Sequence, residues 1–186
     1  MPTPRTEPQR ADAQQNRERI LEAAHHAFQE SADASLNSIA KRAGVGAGTL
    51  YRHFPTREAL ILAVYKHDIE RLAATVPDVL AEHEPLEAFR TWFEQLADYI
   101  RVKHGLGEAL NTPAAQKIIN DTYPPVTAAV AELLAACQAA GTVRAGLDPS
   151  DVLLMMGFLW RVPDDDDGRA QAARTLDLVL DGLRAT

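Results

Sequence analysis

Apolar residues recur at intervals of three and four along nearly the whole chain, which is the spacing of one face of an α-helix. Ile20, Ala24, Ala27 and Phe28 show the pattern first and predict a helix over residues 13–30. No stretch alternates between apolar and polar residues in the way that a half-buried strand does. The sequence therefore predicts an all-α fold.

Capping residues and glycines divide the region after this helix into two short segments. Ser35 can cap a helix over residues 36–43, and Gly44 can end it because glycine adopts a positive φ at little cost. A second short helix, over residues 47–53, should end before Pro55, since the residue preceding a proline is driven away from helical geometry.

Longer helices are predicted for the rest of the chain. Thr56 can cap a helix that continues to Ala74, and Pro77 should kink or end it. The remaining predicted helices cover residues 86–100, 106–111, 114–121, 125–140, 149–162 and 168–184, with Pro124 and Pro125 breaking the chain between 121 and 125. Residues 1–11 are polar and rich in proline, which favours a flexible arm.

The two short helices and the glycine-containing turn between them predict a helix-turn-helix, whose second helix enters the DNA major groove. Leu50 and Phe54 lie four residues apart and can face the core. The other residues of the second helix should lie near the exposed side: Ala47, Gly48, Thr49, Tyr51, Arg52 and His53. Small residues at the helix start allow close approach to DNA, and an arginine can reach the two acceptors of guanine. The alternative is an ordinary helical hairpin with a solvated face.

Charge is distributed unevenly along the chain. The net charge is −7, but residues 1–57 carry +2 and the remainder −9, which favours a polyanionic partner for the N-terminal part. The hydrophobic fraction of 46% is enough for a core. No apolar run reaches the roughly 18–20 residues of a membrane span, and the first residues lack the apolar centre of a secretory signal. We therefore expect a cytoplasmic protein with no membrane association.

The segment from residue 17 to 66 resembles the DNA-binding domain of the TetR (tetracycline-repressor) family of bacterial transcriptional regulators. The resemblance rests on "ILEAAHHAFQE" and on "SLNSIAKRAGVGAGTLYRHFPTREALILAV", which fill nearly every signature position. It implies a helix-turn-helix domain over residues 12–56 and a ligand-binding and dimerisation domain over residues 57–186. The implied partners are a double-stranded DNA operator, a second copy of the chain and an unidentified small-molecule effector.

Individual roles in DNA binding follow from the resemblance. Thr49, Tyr51, His53 and Arg57 match positions that contact the phosphate backbone. Ala47, Gly48 and Arg52 match positions that face base edges, and Asn37 matches one that can contact DNA. Other family members often have a polar or basic residue where this chain has Ala47 and Gly48. Direct base readout should therefore depend on Arg52 and Asn37, or on DNA shape.

The C-terminal part resembles the SbtR-like group of the family. Two apolar faces could form a four-helix dimer interface: Val152, Met156 and Leu159 on one helix, and Leu176, Val179, Leu180 and Leu183 on the other. The alternative is that both faces belong to the intramolecular core. The candidate effector pocket consists of Trp92, Phe93, Leu96, Tyr99, Ile100, His104, Tyr123 and Met155, for each of which plain core packing is the alternative.

No catalytic or metal-binding pattern is present in the sequence. It contains no G-x-S-x-G motif, phosphate-binding loop or dinucleotide-binding glycine pattern, so we expect neither enzymatic activity nor a cofactor. The six histidines include no i, i+4 pair, which argues against a zinc site. The acidic run Asp164–Asp167 is interpreted as a helix start rather than a cation site. Cys137, the single cysteine, is either a buried core residue or a redox sensor.

These observations predict a repressor that a small molecule releases from a palindromic operator. The alternatives are a transcriptional activator of the same fold and a helical small-molecule-binding protein without DNA binding. The helix from Arg57 to Ala74 is the predicted covalent link between the two domains. We expect the effector to displace the end of this helix near Pro77 and so to change the spacing of the two recognition helices.

Overall fold

A computed structural model describes residues 7–31, 33–104, 113–163 and 165–185, with side chains over 11–31, 33–99, 117, 120–159, 161–163 and 165–185. The helices are α1 (Glu7–Glu30), α2 (Leu36–Arg42), α3 (Ala47–His53), α4 (Arg57–Ala74), α5 (Val76–Glu82), α6 (Pro85–His104), α7 (Pro113–Ala139), α8 (Pro149–Met155) and α9 (Asp166–Leu183). A 3-10 segment, Met156–Trp160, follows α8. Within the described ranges there is no strand, only an isolated antiparallel bridge between Val143 and Arg184. The predicted all-α class is confirmed.

The local signals around α2 and α4 act as predicted. The Ser35 hydroxyl accepts a hydrogen bond from the Ser38 amide at 3.2 Å, and the Thr56 hydroxyl accepts one from the Ala59 amide at 3.1 Å. Gly44 has a φ of 66°. This conformation lets the Val45 amide reach the Ala40 carbonyl at 3.0 Å, which closes the end of α2.

Several helix boundaries differ from the sequence-based expectation. α1 begins at Glu7, so residues 7–11 are helical rather than part of an arm, and its proline occupies the first turn, where proline is tolerated. α7 runs without a break through Pro124 and Pro125, so the predicted interruption there is wrong. Buried side chains further along α7 supply packing that outweighs the two lost amide donors: Val126, Val130, Leu133 and Leu134. The helix over 149–162 changes to 3-10 geometry at Met156, and the one over 106–111 lies outside the described residues.

The chain divides into two compact units: among the described residues, 7–67 and 113–115 belong to the first, and 68–104 and 116–185 to the second, so that the first division falls inside α4. The sequence instead placed the domain boundary at residues 56/57. The reason is that the first turns of α4 belong to the core formed by α1, α2 and α3. That core includes Ile20, Leu21, Phe28, Ile39, Leu50, Phe54, Leu60, Ile61 and Val64.

The core of the second unit takes buried side chains from α5 to α9 and from the 3-10 segment. Its largest fully buried side chains include Phe89, Trp92 and Phe93, and the Phe93 ring contacts each of the other two rings along α6. The segment after α7 pairs with the residues that end α9: the Arg144 amide donates to the Leu183 carbonyl at 3.0 Å, and the Ala185 amide donates to the Thr142 carbonyl at 3.2 Å. None of the described helices combines the length and the apolar character that a bilayer crossing requires.

Candidate functional site

Helix α3 exposes one face while two apolar anchors hold it in the core of the first unit. Leu50 and Phe54 are buried, as the four-residue spacing predicts. The side chains on the other faces are exposed or half-buried: Ala47, Gly48, Tyr51 and Arg52 are exposed, and Thr49 and His53 are half-buried. Gly46, in extended geometry, precedes the helix without a side-chain cap. The first amides of α3 therefore donate no hydrogen bond to a capping side chain, and α3 presents a continuous strip of small, aromatic and basic residues.

Two arginines outside α3 extend its positive charge. The Arg57 Cζ atom lies 5.1 Å from the centroid of the Phe28 ring, and the Arg17 Cζ atom lies 5.5 Å from that of Phe54. A guanidinium over an aromatic face is held in place by the ring quadrupole. Arg17 was not predicted from the sequence, since a single arginine on a polar helical turn has no distinguishing pattern. Only the fold brings it to the end of α3.

The start of α4 carries a carboxylate whose pKa is lowered. Backbone hydrogen bonding to Glu58 is the main cause, and the Thr56 hydroxyl adds to it. An ionised carboxylate is favoured at a helix N-terminus because the amide groups there are unpaired.

Asn37, the predicted DNA contact on α2, is exposed near the start of that helix, close in sequence to the Ser35 cap.

The structure does not gather the predicted effector-pocket residues around one cavity. Trp92, Phe93 and Leu96 are buried, and Tyr99 is half-buried. Tyr123 and Met155 lie on the surface, each 47% exposed. The side chains of Ile100 and His104 lie outside the described ones. The Trp92 Nε1 atom donates a hydrogen bond to the Leu72 carbonyl at 2.9 Å. The polar edge of the indole ring is therefore paired near the junction of α4 and α5.

A cleft of about 220 Å³ opens between α6, α9 and the 3-10 segment in the second unit. It is lined by Phe93, Glu94, Ala97, Asp98, Leu159, Arg169, Ala172, Ala173 and Leu176. Of the predicted pocket residues whose side chains are described, Phe93 alone belongs to this lining. The cleft could not be predicted from the sequence, because the alanines that leave it open are common in any helix and have no distinguishing pattern.

The predicted dimer residues are buried within the single chain. Val152, Met156, Leu159, Leu176, Leu180 and Leu183 are all at most 4% exposed, and Val179 is half-buried. Their apolar faces pack inside the second unit, which favours the intramolecular alternative for these side chains. The large apolar side chains exposed on α8 and α9 are different ones: Leu154, Met155 and Leu178.

Cys137 is a core residue. Its thiol is buried and lies 3.2 Å from the Pro85 carbonyl, to which it donates, and burial raises its pKa. A thiol in this state is a poor nucleophile.

Asp165 caps α9 by accepting a hydrogen bond from the Gly168 amide at 2.8 Å. Among the described residues, no group of three or more His, Cys, Asp or Glu is arranged to hold a metal ion.

Comparison with known proteins identifies both parts of the chain. The family model of bacterial regulatory proteins of the tetR family matches residues 20–64, and that of the transcriptional regulator SbtR-like C-terminal domain matches residues 84–185. A curated HTH-type transcriptional regulator of Staphylococcus aureus (strain USA300) is 46% identical over 63 residues, which are 33% of this chain and 34% of that protein. The chain thus spans about a third of the length of the curated relatives it matches.

Two solved structures align over nearly their full length. A TetR transcriptional regulator from Streptomyces coelicolor is 43% identical, with a TM-score of 0.76, and the alignment covers 91% of this chain and 99% of that one. A TetR transcription regulatory protein from Mycobacterium vanbaalenii is 34% identical, with a TM-score of 0.71 and coverage of 95% and 99%. The chain therefore belongs to the TetR family of transcriptional regulators, with an SbtR-like C-terminal domain.

Proposed function

We propose that this protein is a repressor that binds a palindromic DNA operator as a homodimer and is released from it by a small molecule. The observation that carries the proposal is α3, whose buried Leu50 and Phe54 leave Tyr51 and Arg52 exposed on a helix that starts without a side-chain cap. Such a helix can enter the major groove with its N-terminal residues on base edges. Regulation of transcription would place the protein in the cytoplasm.

The exposed residues divide into two groups by what they can contact. Thr49, Tyr51, His53 and Arg57 can donate to phosphate oxygens, which fixes the position of the protein but carries no sequence information. Arg52 and Asn37 have side chains suited to hydrogen bonding with bases. Ala47 and Gly48 offer no polar side-chain atoms, so they favour close backbone approach and readout of DNA shape.

The dimer is proposed to form through the exposed apolar residues of α8 and α9. Leu154 and Leu178 are 75% and 72% exposed, respectively, in the single chain. Large apolar side chains exposed to this degree are costly in water, and burial against a second copy would remove that cost. This proposal replaces the interface expected from the sequence, six of whose seven residues are at most 4% exposed in the single chain.

Release of DNA is proposed to act through α4, which starts in the first unit and ends in the second. The Leu72 carbonyl near its end accepts hydrogen bonds from the Thr75 hydroxyl at 2.8 Å and from Trp92 Nε1 at 2.9 Å. Trp92 therefore joins α6 to the last turn of α4. An effector that shifts α6 can change the position of α4 only if it binds the two arrangements with different affinities.

DNA binding is tested with the DNA upstream of the protein's own gene, by fluorescence anisotropy at several salt concentrations. The wild type should bind in the nanomolar range, with an affinity that falls steeply as salt rises. Arg52→Glu should abolish binding, whereas Arg144→Glu, an equal charge change at an exposed arginine of the second unit, should leave it intact.

Equal loss of affinity in the two variants would mean that overall charge, not α3, governs binding. Binding by neither wild type nor variants would favour the alternative of a small-molecule-binding protein without DNA binding. A transcription assay in which the bound protein raises expression would favour the activator of the same fold.

A further inference from the structure

Arg17 of α1 is held against the residue that ends α3. Its Cζ atom lies 5.5 Å from the centroid of the Phe54 ring. Phe54 is 3% exposed, and its amide donates to the Leu50 carbonyl at 2.8 Å, so the ring is fixed in the core of the first unit. Because a guanidinium is planar, it can stack on a ring with one face while the N–H groups at its edge stay available.

Arg17 has no anionic partner among the described side chains. A helix brings alongside each residue those that lie three and four positions away. Around Arg17 these residues are all uncharged: Ala13, Gln14, Ile20 and Leu21. The carboxylate of the adjacent Glu18 accepts a hydrogen bond from Gln14 at 2.8 Å. The described part of the chain therefore supplies no counter-charge to Arg17, which is half-buried.

The other polar side chains at the end of α3 are hydrogen-bond donors. Tyr51 precedes Phe54 by three positions, so the two residues are neighbours on the surface of α3. Tyr51 is 46% exposed, and Arg52 and His53 complete the last turn. Arg17 therefore adds a positive charge from α1 to a helix end whose polar side chains can donate to an anion.

Arg57 is supported in the same way as Arg17. Its Cζ atom lies 5.1 Å from the centroid of the Phe28 ring, which is 5% exposed and belongs to the same core as Phe54. The proposed function assigns Arg57 to phosphate. Two arginines from different helices, each placed over a buried ring of one core, suit the same kind of partner.

We propose that Arg17 binds the phosphate backbone of DNA beside the end of α3, with Phe54 as the surface that positions its guanidinium. Two N–H groups at the edge of the guanidinium donate to phosphate oxygens, a geometry that suits both groups. Stacking restricts the guanidinium before DNA arrives, so less side-chain freedom is lost on binding. The proposal rests on the proposed function for its partner and adds a contact that lies outside the helix-turn-helix.

The contact is tested by fluorescence anisotropy on the full chain, between about 50 and 200 mM salt. The probes are the duplex upstream of the gene and a duplex of the same composition in scrambled order. Arg17→Gln should lower the affinity for both duplexes at least about tenfold, because it removes a hydrogen bond to a charged group. The ratio of the two affinities should stay unchanged, since phosphate contacts carry no sequence information.

The salt dependence separates a phosphate contact from a structural role. The slope of log affinity against log salt concentration depends on how many phosphates the protein neutralises. Arg17→Gln should therefore reduce the magnitude of this slope by about 0.9 per arginine, or about 1.8 per dimer. Loss of stability alone would lower the affinity without changing the slope, and circular dichroism shows whether the variant is folded. Arg17→Lys keeps the charge but not the planar group, so it should retain the slope while the affinity falls.

Arg19→Gln is the matched control, because it makes the same charge change on the same helix. Arg19 lies about 200° around α1 from Arg17, and it lines a groove against the end of α2 together with Arg42. Both the affinity and the slope of Arg19→Gln should equal those of the wild type.

An unchanged slope in Arg17→Gln would mean that Arg17 only holds α1 against α3, and it would overturn the proposal. Equal losses in Arg17→Gln and Arg19→Gln, or a loss confined to the upstream duplex, would overturn it as well. In each of these cases the proposed function stands as long as the wild type binds the upstream duplex. A wild type that binds neither duplex would overturn both.

Discussion

Arg42 and Glu30 join the last turns of α2 and α1 through two parallel hydrogen bonds, Nη1 to Oε2 at 2.7 Å and Nη2 to Oε1 at 2.8 Å. Both groups are exposed, but this two-pronged geometry is the strongest that an arginine and a carboxylate can form. The hydrogen bond from Arg42 is the main reason that the pKa of Glu30 is lowered. The pair ties the first helix of the DNA-binding domain to the helix-turn-helix.

The first prediction concerns the acid sensitivity of this pair. A carboxyl group with a lowered folded-state pKa stabilises the fold above its unfolded pKa, and this contribution is lost as the pH falls through the folded value. Glu30→Gln should therefore destabilise the first unit at neutral pH and reduce its dependence on pH below about 4. Amide hydrogen exchange in α2 measures the change, with Glu18→Gln on the same helix as control. Equal exchange in both variants would contradict a role for the pair.

The second prediction concerns Gly168 in the first turn of α9. A Cβ atom added there would lie 1.9 Å from the Pro163 carbonyl oxygen, so the loop before the helix has to move. Gly168→Ala should destabilise the protein by about 1–3 kcal/mol, the usual cost of overpacking. Gly182→Ala on the same helix meets no atom within 4 Å and should be neutral or stabilising. Urea denaturation of the two variants compares them directly, and a neutral Gly168→Ala would mean that the loop yields freely.

The third prediction concerns the hydrogen bond between Trp92 and Leu72. Trp92→Phe keeps most of the buried ring but removes the donor, and the expected loss of stability is about 1–3 kcal/mol. It should also weaken the response of operator affinity to an effector, since α6 loses its contact with the last turn of α4. Leu96→Val, a modest change at another buried position of α6, is the control. A variant that is destabilised yet responds to the effector as the wild type does would exclude this route.

The fourth prediction compares two substitutions on α9, one expected to disrupt the dimer and the other expected to disrupt folding. Leu178→Glu places a charge on an exposed position of α9 and should dissociate the dimer without loss of helicity. Leu180→Glu places it in the core and should unfold the second unit, because an unpaired charge is buried there. Tyr123→Glu changes an exposed apolar residue of α7 and should do neither. Light scattering with circular dichroism separates these outcomes; an intact dimer in Leu178→Glu would place the interface elsewhere.

The fifth prediction separates phosphate contacts from base contacts. Tyr51→Phe removes one hydroxyl donor and should weaken binding to all operator variants alike. Arg52→Ala should instead reduce the preference for particular base pairs, with a cost of about 1–3 kcal/mol at the preferred site. Anisotropy titrations on a set of single-base operator variants measure both effects. A uniform loss for Arg52→Ala would assign this arginine to the phosphate backbone.

The DNA-binding region could be predicted closely from the sequence because its signals are local. Ser35, Gly44 and Thr56 act on the residues next to them, so each can be interpreted without knowledge of the fold. The bounds of α3 and α4 were predicted correctly for the same reason.

Assignments that depend on packing partners could not be made from the sequence. The apolar faces of α8 and α9 have the same pattern whether they meet their own chain or a second copy. Leu180 and Leu178 are equally hydrophobic, yet one is buried and the other exposed. The cleft is a space left by alanines, and the contact of Arg17 with Phe54 joins residues that are 37 positions apart in the sequence. The burial of Leu180, the cleft and the Arg17–Phe54 contact all depend on how the helices pack in three dimensions.

The pairing of residues 142–144 with residues 183–185 means that the second unit cannot be completed before Ala185 has been made. The residues of the first unit's core cluster have all been made once Val64 is added, whereas the second unit waits for Ala185, which follows 121 residues later. At about 5–20 residues per second, this interval lasts about 6–24 s. A nascent chain can therefore fold its DNA-binding domain while most of the second unit is still being made.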